Sequence, residues 1–91
     1  MRVAVTTQSG AQYQFDSQLM TWKRRRPFHT EQPIIGLDAD SGQLQVMPSP
    51  QVGARCIIAI IINGIFSPNN YITTTPVQRI ELLEADNVYD W

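Results

Sequence analysis

The sequence predicts an all-β domain on three observations. Apolar and polar residues alternate with period two through Val3–Val5 and Tyr13–Phe15, Ser9-Gly10 and Asn63-Gly64 supply turn chemistry, and Ile57–Ile62 holds five isoleucines broken only by Ala59. Period two sends successive side chains to opposite faces of a strand. β-Branched residues lose side-chain freedom in a helix and pack well on a pleated sheet.

Taken in order, Arg2–Gln8 and the segment around Tyr13 and Phe15 form a hairpin closed by Ser9-Gly10 and ended by Asp16-Ser17. A strand over Leu19–Arg24 sets Leu19 and Thr21 on one face and Met20 and Trp22 on the other. Pro27 stops it, because proline cannot donate to a ladder. Ile34–Leu37 and Leu44–Val46 read as a second hairpin around the turn Asp38–Gly42, and Met47–Gly53 as a loop. Arg55–Ile62 is apolar on both faces, so the strand Cys56–Ile62 needs a core on one side and cover on the other. Asn63-Gly64 turns the chain, Ile65–Asn70 extends a loop, and Tyr71–Thr74 favours a strand. In the last segment two readings compete. Thr75-Pro76-Val77-Gln78 has the form of a helix start, with Val77, Ile80 and Leu83 at helical spacing, whereas a strand would turn Ile80 and Leu82 inward.

Ninety-one residues make one domain, 1–84, followed by an acidic aromatic tail, 85–91. The longest apolar stretch is far below the roughly 20 residues of a membrane helix, and Arg2 followed by alternation does not read as a signal peptide. A cytoplasmic protein with no membrane partner is expected. Cys56 is the only cysteine, which excludes an internal disulfide and a thiolate zinc site within one chain; beside Ile57 it reads as a buried small hydrophobe. The net charge of −1 is unevenly spread. Residues 1–30 set five basic residues against Asp16 (+4), and residues 31–91 set Arg55 and Arg79 against seven acids (−5). Such asymmetry biases association.

The opening Arg-Val-x-Val-x-Thr-x-Ser-Gly-x-x-Tyr hairpin, the basic strand around Trp22–Arg25 and Thr73–Val77 resemble small uncharacterised proteins encoded by phages of actinobacteria. The element order resembles a small barrel of the Src-homology type. That resemblance implies a barrel of five to seven strands, with a one-turn helix at Pro76–Gln78 before the last strand. It also implies the host cytoplasm as location, and it brings no catalytic residues.

Chemistry concentrates at Trp22-Lys23-Arg24-Arg25-Arg26-Pro27-Phe28-His29. Guanidinium groups pair with phosphates and an indole stacks on a base, so Trp22, Lys23, Arg24, Arg25, Arg26 and His29 are the candidate ligand residues. In a strand, Trp22, Arg24 and Arg26 share one face and Lys23 and Arg25 the other. Charges that discourage edge pairing, or that pair with the acidic tail, are the structural alternative. The acidic total argues against duplex DNA and favours a nucleotide signal or a short single strand. One histidine excludes a histidine triad and a two-histidine metal site within one chain. Asp38 and Asp40 lack the further ligands of a calcium loop, and no phosphate loop is present. No catalytic residue, metal or cofactor is expected.

Two functions follow. One is a non-enzymatic binding protein holding a phosphate-bearing ligand on the basic strand. The other is a structural or interaction module, such as a virion accessory protein or an inhibitor of a host protein. The charge match between tail and basic strand, and the two-faced apolar strand, point to a homo-oligomer with Ile57, Ile61, Tyr89 and Trp91 at the interface.

Overall fold

A computed structural model describes residues 1–26 and 40–83. Six strands form among them: β1 (Arg2–Thr7), β2 (Gln12–Asp16), β3 (Thr21–Arg25), β4 (Ser41–Leu44), β5 (Arg55–Ile61) and β6 (Tyr71–Leu83). Each pairs antiparallel with its sequence neighbour, and β6 returns to β1, so the sheet closes into a barrel. Closure removes the free edges that a small sheet would otherwise expose. The all-β expectation holds, with a strand number inside the expected range.

The β1–β2 hairpin is local chemistry. Gly10 takes a φ of 89°, its N–H donates to the Thr7 carbonyl, and Thr7 N–H reaches the Ala11 carbonyl at 3.0 Å. Only a residue without a β-carbon adopts that φ freely. The next connection differs from the sequence reading. Residues 17–20 form a turn, because the Asp16 carboxylate accepts the Gln18 and Leu19 N–H groups at 2.9 and 3.1 Å and Met20 takes a φ of 52°. β3 therefore starts at Thr21, not Leu19. The expected strand Ile34–Leu37 lies outside the described residues. Ser41 and Gly42, expected in a turn, belong to β4, because Lys23 and Trp22 supply ladder partners there. Val46 lies beyond that strand and is exposed. Asn63-Gly64 does turn the chain, with φ values of 52° and 75° between the paired residues Ile62 and Ile65.

Pro76–Gln78 forms no helical turn and lies within β6. Long-range pairing outweighs the local start signal. Before this point β6 pairs with β5; after it, Val77 pairs with Thr7 and Arg79 with Thr6 of β1, leaving Gln78 as an extra residue. Pro76 sits where the strand changes neighbours, so its missing N–H interrupts little, and its carbonyl still accepts the Gln8 N–H at 2.9 Å.

The core lies inside the barrel. Val5, Phe15, Trp22, Leu44, Ile58 and Ile60 fill its centre, with Cys56 beside them. Cys56 is buried as expected, and desolvation pushes its thiol pKa above the ordinary value. Among the described residues, no helix is long and apolar enough to cross a membrane.

Candidate functional site

Alternation along β3 divides the basic run into two unlike sets. Trp22 and Arg24 share a face of β3, as expected, and Arg26, just past the strand, is brought to Arg24 by their common partner Asp40. Trp22 is only 2% exposed, its ring belongs to the core, and its indole Nε1 is buried without a hydrogen-bond partner. The base-stacking role expected of Trp22 is therefore not open to it in this fold. Arg24 lies over the indole, 5.7 Å from the ring centroid, with its side chain 8% exposed. It reaches the Asp40 carboxylate at 3.4 Å, and Arg26 reaches the same carboxylate at 2.9 Å. The Asp40 carbonyl accepts the Arg24 N–H at 2.6 Å, which ties the start of the β4 segment to β3.

Tyr13 stands opposite Arg24 on the β2–β3 ladder. Burial raises its phenol pKa, while the charge and hydrogen bond of Arg24 oppose the rise. Tyr13 and Phe15 stack with ring centroids 6.3 Å apart. The inward set is thus a core aromatic, two guanidiniums and their shared counter-charge. Lys23 and Arg25 are exposed on the opposite face. His29 lies outside the described residues, as does the expected tail, including Tyr89 and Trp91. Among the described residues, no group of three His, Cys, Asp or Glu side chains is placed to hold a metal.

The second candidate surface lies on β5 and β6. Cys56, Ile58 and Ile60 point inward, and Ile57, Ala59 and Ile61 point outward. Ile57 is 64% exposed and Ile61 is partly buried. Ile57 pairs with Thr73 and Ala59 with Tyr71, so Tyr71, itself 53% exposed, extends the same outward face. Ile65 and Phe66 add exposed apolar groups in the β5–β6 connection. Sequence reasoning identified Ile57 and Ile61 but missed Tyr71 and Phe66. Tyr71 joins this face through the β5–β6 register, and Phe66 is exposed in the connection that follows the Asn63-Gly64 turn, neither of which alternation within one strand reveals.

The class of protein defined by this geometry is a small closed six-stranded antiparallel barrel with an apolar outer face on β5–β6 and a paired basic cluster at one end. No protein-family model, curated protein or solved structure matches the chain.

Proposed function

We propose that the chain is a non-enzymatic interaction module of phage type that self-associates, with the outer face of β5–β6 as the contact between copies. The exposure of Ile57 beside Tyr71 is the observation that carries this reading. Contiguous exposed apolar side chains mark interaction surfaces, whereas scattered ones are ordinary. A second copy is the occupant that fits. Ile57, Ala59, Ile61, Tyr71 and Thr73 carry no charge, and the charge that borders them on β5 is Arg55 at the start of the strand, so the apolar parts of two identical faces meet without like charges between them. A chain of this length also buries a modest core, and covering such a face adds to its stability.

The +4 and −5 balance of the two parts of the chain supports the same reading, because it favours ordered approach of copies. The expected phosphate site on Trp22, Arg24 and Arg26 has less behind it. Its indole is buried, and its guanidiniums share Asp40.

Methyl NMR of the full chain over a dilution series tests the proposal. The Cδ1 methyls of Ile57 and Ile61 are expected to shift with concentration while those of Ile58 and Ile60 stay fixed. Signals from Ile57 and Ile61 that do not change with concentration would remove the proposed contact.

A further inference from the structure

We infer that the outward face of β1–β2–β3 carries a site for a small oxyanion, a phosphate or carboxylate group, held by Lys23 and Gln14. Two rows of the ladder build it. Arg2, Asp16 and Thr21 lie side by side across the three strands, and Ala4, Gln14 and Lys23 form the next row. These side chains face away from the core, because their neighbours Phe15 and Trp22 face into it. Arg2, Asp16 and Thr21 of the first row and Gln14 and Lys23 of the second, with Phe15 and with Leu19 of the 17–20 turn, line a cavity of about 160 Å³.

Gln14 is the informative member. It is only 6% exposed, and its Nε2 has no hydrogen-bond partner. Buried amide groups are normally satisfied, and an exception calls for a missing partner. An amide NH₂ only donates, so that partner is an acceptor. Lys23, opposite Gln14 on the ladder, makes a negatively charged acceptor the favoured one.

The rest of the lining agrees. Arg2 and Lys23 outweigh Asp16 by one formal charge, and the Asp16 carboxylate is already engaged by the Gln18 and Leu19 N–H groups. The Thr21 hydroxyl adds a donor, and exposed Leu19 offers an apolar rim. The volume is below the roughly 300–1,000 Å³ of sites that enclose a drug-sized ligand. It suits a small phosphate or carboxylate compound, or the terminal oxyanion of a larger one. This site is independent of the self-association reading, since none of its lining residues belongs to the β5–β6 face.

Titration of the ¹⁵N-labelled full chain with sodium phosphate and, separately, sodium acetate at constant ionic strength tests it. A saturable shift of the Gln14 side-chain amide is expected with at least one anion. The tighter of the two identifies the ligand as phosphate or carboxylate. Lys23→Gln, a change at an exposed position, is expected to weaken binding by about tenfold, and Gln14→Leu to abolish it. No saturable shift with either anion, or wild-type affinity in both variants, would overturn the site.

Discussion

Gly42 stands across from Trp22 on the β3–β4 ladder, and a β-carbon added to it would lie 2.9 Å from the indole Nε1. The indole has no room to yield, because it is buried in the core. Gly42→Ala is therefore expected to destabilise the barrel by about 1–3 kcal/mol through overpacking. Urea unfolding checks this: the midpoint should fall with an unchanged slope. An unchanged midpoint would mean that Trp22 is less tightly held than its burial indicates.

Asp40 gathers Arg24 and Arg26 at the end of β3, but its side chain is 54% exposed. Water and salt screen such a pair, so Asp40→Asn is expected to cost about 1 kcal/mol or less. The loss should shrink as ionic strength rises. Unfolding at low and high salt measures both effects, and a loss that grows with salt would contradict the assignment.

Alkali should destabilise the fold with a recognisable onset. Burial raises the Cys56 thiol pKa in the folded chain, so the unfolded chain loses that proton first as pH rises. The stability due to the neutral thiol is fully present below the unfolded value of about 8.5 and is lost as pH climbs through the folded one. Tyr13, raised chiefly by burial, acts in the same sense from about pH 10. The urea midpoint should therefore decline from about pH 8.5 in the wild type. In Cys56→Ala the thiol contribution should vanish, leaving the Tyr13 contribution from about pH 10. Identical pH profiles for the two proteins would refute the contribution of Cys56.

Much of the fold was legible because it is written locally. Val3 and Val5 alternate towards Tyr13 and Phe15, and Gly10 permits the turn between them. The run Cys56–Ile61 forms a strand whose two apolar faces separate into core and surface. What was not legible depends on partners distant in sequence. Pro76 carries a convincing helix-start signal, yet Thr7 and Arg55 recruit its neighbourhood into the longest strand. The basic run Lys23–Arg26 was visible as a cluster, but the burial of Trp22 and the sharing of Asp40 depend on closure of the barrel. Gln14 gave no signal at all. One glutamine in an alternating strand looks like any other until its amide is found buried and unpaired.

The central claim is that copies of this chain meet through the outer face of β5–β6. Its most direct test is the native mass of the full-length protein, by sedimentation equilibrium, beside that of Ile57→Glu. Ile57 is exposed, so the substitution leaves the core untouched and puts a charge in the middle of the proposed contact. The wild type is expected at a multiple of 10.3 kDa and the variant at 10.3 kDa, the variant unfolding cooperatively with a midpoint that does not depend on protein concentration. A wild-type mass of one chain at every concentration, or an assembly that Ile57→Glu leaves intact, would contradict the account.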